Sequence, residues 1–195
     1  MTMNVAILIY EDAEVLDFSG PFEVFSTAAR VADQPGAFDA FLVAEEPGPV
    51  AARAGYEVVP HYDLSNHPDI DLLIVVGGVH EPQMERRRVI DWISTQSKSA
   101  KHVASVCTGA FLLARAGVIH SQTVTTHWED IDDLKETFPS LDVIDNQRWV
   151  DAGSITTSAG ISAGIDMSLH LVRTFADASL AERTARKMEY DWRDQ

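Results

Sequence analysis

An α/β three-layer sandwich, a mostly parallel sheet with helices on both faces, is the fold class that the sequence predicts, and three observations predict it. Val5 to Tyr10 (VAILIY), Phe38 to Ala44 (FDAFLVA), Asp71 to Val76 (DLLIVV) and His102 to Val106 (HVASV) are short apolar runs of the kind that parallel strands show. Segments of helical pattern lie between them, so strand and helix alternate, and such units build a parallel sheet covered on both sides. The chain has 195 residues, 46% hydrophobic and 23% charged, which suits one domain, residues 1–195, with a sizeable core.

In order along the chain, Val5 to Tyr10 is expected as a central strand, followed by a loop from Glu11 to Gly20. Pro21 suits the first turn of a helix running to about Ala32, which leaves Asp17 just before that helix. Gln34-Pro35-Gly36 reads as a turn, Phe38 to Ala44 as the second strand, and Glu46-Pro47-Gly48-Pro49 as a rigid surface loop. Ala54 to Pro60 reads as short edge strands, because proline fits an edge better than a ladder interior. The strand Asp71 to Val76 ends in Gly77-Gly78, and a helix is expected from Met84 to Ser97 with Val89, Trp92 and Ile93 inward. After the strand His102 to Val106 comes a helix-favouring run, Gly109 to Ala116, closed by Gly117. Thr123 to Thr126 and Leu141 to Ile144 are further strands flanking a helix from Glu129 to Thr137. Arg148 to Val150 and Ser154 to Thr157 form two strands about a Gly-containing turn. Ser158-Ala159-Gly160 is a loop, Ile161, Ile165, Leu169 and Val172 recur at helical spacing, and a last helix covers Ser179 to about Asp191.

Ligands of such folds bind beyond the carboxyl ends of the strands. Asp17, Gly77-Gly78 and Cys107 all occupy those ends. Cys107 sits between a strand and a helix, the order a nucleophile elbow requires, and a helix N-terminus there favours an anion. The expectation is therefore a thiolate with a pKa below the free-cysteine value. The competing reading is a small buried side chain. Cys107 is the sole cysteine, so the chain holds no disulfide or CxxC pair of its own. Asp17 alone reads as a helix cap. Asp166 reads as a carboxylate supporting the first turn of its helix. His80 follows the glycine pair and could reach the site, though a surface histidine is the favoured reading.

The formal charge of -15 opposes nucleic acid and anionic membrane as primary partners. The start MTMNVAILIY has no basic n-region and an apolar run too short to span a bilayer, so a cytoplasmic protein is expected. His61, His67 and His80 lack metal-ligand spacing, and no metal is expected.

Five segments carry a resemblance: Leu16-Asp17-Phe18-Ser19-Gly20-Pro21, Glu46-Pro47-Gly48-Pro49-Val50, Ser105-Val106-Cys107-Thr108-Gly109, Thr125-Thr126-His127-Trp128 and Gly160-Ile161-Ser162-Ala163-Gly164-Ile165-Asp166. On these the chain resembles the ThiJ/PfpI superfamily, the class I glutamine amidotransferase-like group, over nearly its whole length. Within it the chain is most similar to isocyanide hydratases and to the sensor domain of AraC-type regulators. The resemblance implies a flavodoxin-like sheet with a nucleophile elbow, Cys107 as nucleophile, Asp17 as the acidic partner, and Thr108 at the hydratase threonine position. Gly77 and Gly78, with backbone N–H groups near the elbow, would stabilise developing negative charge. His127 is read as a substrate-binding or structural group, with a catalytic base as the alternative. Threonine after the cysteine replaces the histidine of the peptidase-like branch, and no C-terminal His-x-Glu element of the amidotransferases is present.

The resemblance implies hydration of an organic isocyanide to an N-substituted formamide with no cofactor, acting on a small molecule as a homodimer. Two alternatives stay open. One is a ligand- or redox-sensing domain, although in AraC-type regulators a DNA-binding module follows, whereas this acidic sequence runs to Gln195. The other is a glyoxalase-like or protein-repair enzyme using the same cysteine and acid.

Overall fold

The computed structural model describes residues 2–33 and 36–194. Its strands are β1 (Met3–Leu8), β2 (Phe38–Ala44), β3 (Val50–Ala52), β4 (Tyr56–Val58), β5 (Tyr62–Asp63), β6 (Leu72–Val75), β7 (His102–Val106), β8 (Thr123–Val124), β9 (Asp142–Val143), β10 (Trp149–Asp151) and β11 (Ile155–Ser158). Its α-helices are α1 (Val15–Val31), α2 (Glu81–Met84), α3 (Arg87–Ser99), α4 (Gly109–Arg115), α5 (Ile131–Thr137), α6 (Ala163–Phe175) and α7 (Ala178–Lys187).

The main sheet has the order β10-β11-β7-β6-β1-β2-β5. Its ladders are parallel except that of β10 with β11, which a tight turn joins as an antiparallel pair. From β1 the chain crosses through α1 to β2 on one side, and from β6 through α3 to β7 on the other. Right-handed crossovers in opposite directions place α1 and α3 on opposite faces. Helices α6 and α7 pack on α1, while α2, α3 and α4 pack together, so both faces are covered as expected. Leu72, Leu73, Ile74 and Val75 are fully buried, which is why that strand reads as an unbroken apolar run. Each such side chain contributes about 1.5–3 kcal/mol by leaving water.

The structure moves several boundaries. Helix α1 begins at Val15, so Pro21 lies inside it and Asp17 lies in its first turn. The residue at the N-cap is Glu14, without a side-chain capping bond, so Asp17 is not the cap. A proline has no N–H for the carbonyl four residues back, which is that of Asp17. Ala54 to Pro60 does not join the main sheet's edge. Strands β3 and β4 pair with each other across a tight turn in which Ala54 and Gly55 have φ of 59° and 76°, and β5, beyond Pro60, forms the edge. The helix expected from Met84 divides into α2 and α3, and the one expected from Glu129 opens with a 3-10 turn, Trp128–Asp130. Of the turn expected at Gln34-Pro35-Gly36, the first two residues lie outside the described residues, and Gly36 has φ +78°. Asp166 does more than support a turn: it is buried, ion-paired with Arg148 and accepts the Arg193 N–H at 3.1 Å, which ties the C-terminal segment to α6.

Candidate active site

Strand β7 ends at Val106 and helix α4 starts at Gly109, and Cys107 between them has φ +56°. A non-glycine residue in that region is strained and persists only where its surroundings fix it. Several contacts do so here. The Cys107 N–H donates to the Ser158 carbonyl at 3.2 Å, and the Thr126 hydroxyl donates to the Cys107 carbonyl at 2.8 Å. A side chain at Gly109 would meet the Val75 carbonyl at 2.1 Å, so glycine lets α4 rest directly on the end of β6.

Gly77 is the point where the sequence-predicted residues meet. A Cβ there would lie 2.6 Å from the Thr108 nitrogen, 2.7 Å from the Cys107 Cβ and 2.8 Å from Asp17 Oδ2. The Gly77 N–H donates to Asp17 Oδ2 at 3.1 Å. The Gly78 N–H donates to the Thr108 hydroxyl at 3.0 Å, and that hydroxyl donates to the Gly78 carbonyl at 3.1 Å. Both glycine N–H groups are thus engaged within the protein. Their place is to hold Asp17 and Thr108. Gly78 has φ +143°, and a Cβ would lie 2.4 Å from the Asp12 carbonyl, so the β1–α1 loop also closes against it.

Asp17 has no solvent exposure, and its Oδ1 has no hydrogen-bond partner among the described residues. Burial raises its pKa to about 7 against the Gly77 hydrogen bond, with the charge of Glu14 raising it further. The Cys107 thiol is also pushed up, first by burial and then by the charge of Asp17, while the Thr108 N–H pulls it down. That direction runs against a thiol lowered by a helix N-terminus: α4 has seven residues, and burial and the charge of Asp17 both disfavour the thiolate. Cys107 and Asp17 instead form a coupled acid pair.

A cavity of about 380 Å³ opens in front of Cys107 and Thr108. His127 lines it, caps the Trp128–Asp130 turn and accepts the Glu129 N–H at 3.4 Å. Its ring packs on Gly160, where a Cβ would sit 2.0 Å from Cδ2. His80 is not on the surface: it is buried, lines the same cavity, and has its ring 4.2 Å from that of Phe111. Sequence reasoning missed Arg53 and Asp130 in the lining, and also Thr126, whose signal was its place in the Thr-Thr-His-Trp segment. His61 and His67 bond to the Leu42 N–H and to Trp92, away from the site. Among the described residues no group of three His, Cys, Asp or Glu could hold a metal ion, and no helix is long and apolar enough to cross a membrane.

Comparison with known proteins gives consistent results. The family model described as the DJ-1/PfpI family matches residues 3–174. An isonitrile hydratase of Pseudomonas putida is 31% identical over 191 residues, covering 97% of this chain and 79% of that protein. The HTH-type transcriptional regulator GbdR of Pseudomonas aeruginosa is 32% identical over 123 residues, 63% of this chain and 33% of the regulator. Among solved structures, a ThiJ/PfpI family protein from Pseudomonas syringae superposes with a TM-score of 0.87 at 26% identity, covering 100% of this chain and 77% of that one. Drosophila melanogaster DJ-1beta, at 18% identity and a TM-score of 0.82 over 98% of this chain and all of that one, shares the fold.

Proposed function

The chain belongs to the DJ-1/PfpI family, and we propose that it hydrates an organic isocyanide to an N-substituted formamide without a cofactor. The observation that carries this reading is the strained Cys107 beside a buried carboxyl, Asp17, whose pKa of about 7 suits a group that takes and returns a proton near neutral pH. The hydratase of Pseudomonas putida adds support through similarity over 97% of this chain and 79% of its own length.

In this reading the Asp17 carboxylate takes the thiol proton as sulfur attacks the terminal carbon of R–N≡C. The protonated carboxyl then delivers that proton to the carbon, giving a thioimidate, R–N=CH–S–Cys107. Water adds to the same carbon with Asp17 as base, and the nitrogen receives the proton. The C–S bond breaks, sulfur regains a proton, and the formamide leaves. One water is consumed, and no electrons are exchanged with another reagent. Thr108 positions this machinery: its backbone N–H supports the Cys107 sulfur, and its hydroxyl fixes the Gly78 peptide. His127 shapes the cavity wall.

A second reading, a ligand-sensing domain, draws on the similarity to GbdR, of whose length the chain spans a third. Incubation with a panel of isocyanides and with methylglyoxal, with products identified by mass spectrometry, separates the readings. Formamide supports hydration, D-lactate a glyoxalase, and saturable binding without product the sensor. A cytoplasmic homodimer belongs to the same proposal, and analytical ultracentrifugation tests the assembly.

A further inference from the structure

The elbow and the unpartnered Asp17 carboxyl oxygen define the site independently of the charge around it, yet that charge is one-sided. Glu14, Glu81, Glu129 and Asp130 all line the cavity, and Arg53 is the single guanidinium or ammonium group among its described lining residues. Arg53 lies 3.6 Å from Glu14 and offsets that carboxylate. His80 Nδ1 lies 3.8 Å from Glu81, and His127 Nδ1 lies 3.4 Å from Asp130 and 3.7 Å from Glu129, so at the Trp128–Asp130 turn one imidazole faces two carboxylates. Trp128, between those lining residues in sequence, is 75% exposed, with its ring 5.8 Å from that of His127. An aromatic face beside carboxylates is the combination that binds ammonium groups. The attacking sulfur must also gain negative charge in this setting. Asp130 and Asp17 both oppose that charge, and a bound cation would offset them.

We propose that the substrate of this site carries a cationic group, an alkylammonium placed against Asp130 and Glu129 with its isocyano carbon toward Cys107. The isocyano part rests on the hydratase reading; the cationic part rests on the cavity's carboxylates and Trp128. Three probes of similar size test it: dimethylaminopropyl isocyanide as the cation, pentyl isocyanide as the neutral isostere and isocyanoacetate as the anion. Their binding to the Cys107→Ala protein is measured by calorimetry at low salt, with Cys107→Ser used if the alanine variant does not fold. The cation is expected to bind at least about tenfold more tightly than pentyl isocyanide, with isocyanoacetate weakest. Adding Glu129→Gln and Asp130→Asn should bring the first two within about threefold. Equal or tighter binding of pentyl isocyanide, no binding of the cation, or a preference that survives the double substitution overturns the proposal. Turnover is measured separately on the wild-type protein. Formamide from none of the three ends the hydratase reading, while the binding ratio still decides the cationic one.

Discussion

Replacing Asp17 by Asn should lower activity and raise stability together, and the second effect grows with pH. Asn keeps an oxygen for the Gly77 N–H, now 3.1 Å from Asp17 Oδ2, but has no carboxyl proton to exchange. Loss of such a group costs roughly 10²- to 10⁴-fold, so kcat/KM for isocyanide hydration should fall at least about a hundredfold. In the unfolded chain the carboxyl titrates near 3.8, and in the native state at about 7. Between these values the native state holds the proton more tightly, so stability falls as pH rises, and the loss is complete above about 7. The charged carboxyl then costs the native state roughly 4 kcal/mol, of which about 2.5 kcal/mol develops between pH 5 and pH 8. Asn carries no such cost. Urea unfolding of both proteins at pH 5 and pH 8, at equal protein concentration, should show the variant's advantage widening by about that amount. A constant difference across that interval, together with near wild-type turnover, would refute both the buried-acid and the proton-transfer assignments.

Wild-type kcat/KM should fall as pH drops below about 7, because Asp17 must be ionised to accept the thiol proton; a profile flat from pH 5 to 8 contradicts this. Alkylation of Cys107 by iodoacetamide should speed up steadily from pH 6 to 9, since burial and Asp17 hold the thiol up, and a plateau beginning below neutrality would restore the activated thiolate. Gly77→Ala places a Cβ within 2.8 Å of Thr108, Cys107 and Asp17. It should cost about 1–3 kcal/mol in urea unfolding and nearly all turnover, and full activity would mean the three need not meet there. Thr108→Val removes the hydroxyl that serves both polar groups of Gly78, so a loss of about 1–3 kcal/mol is expected; an unchanged midpoint would show that water replaces the hydroxyl.

The strands were legible where burial on both faces leaves an unbroken apolar run, and Phe38 to Ala44 and His102 to Val106 stand at their expected bounds. Helix α1 was misplaced because proline is favoured in a first turn, whereas Pro21 is the seventh residue of the helix. Asp17, Cys107 and Gly77 could be found because each ends a strand or opens the element after it. His80 was within reach through its place after the glycine pair, but Arg53 and Asp130 could not be found, since each comes from a turn with no periodic pattern and reaches the cavity through tertiary contacts. The opposing push on the Cys107 thiol was out of reach for a related reason. A helix N-terminus is visible in sequence, but the depth to which Cys107 and Asp17 are buried is not.

The most direct test of the mechanism compares wild-type and Cys107→Ala proteins incubated with an isocyanide in water enriched in ¹⁸O. The exchange of one small side chain for another should leave the fold intact while deleting the sulfur that forms the thioimidate. Wild-type protein should release formamide carrying one ¹⁸O at a rate well above buffer, and the folded variant should release it at the buffer rate. Formamide produced equally by the folded variant, or by neither protein from any isocyanide tried, would contradict it.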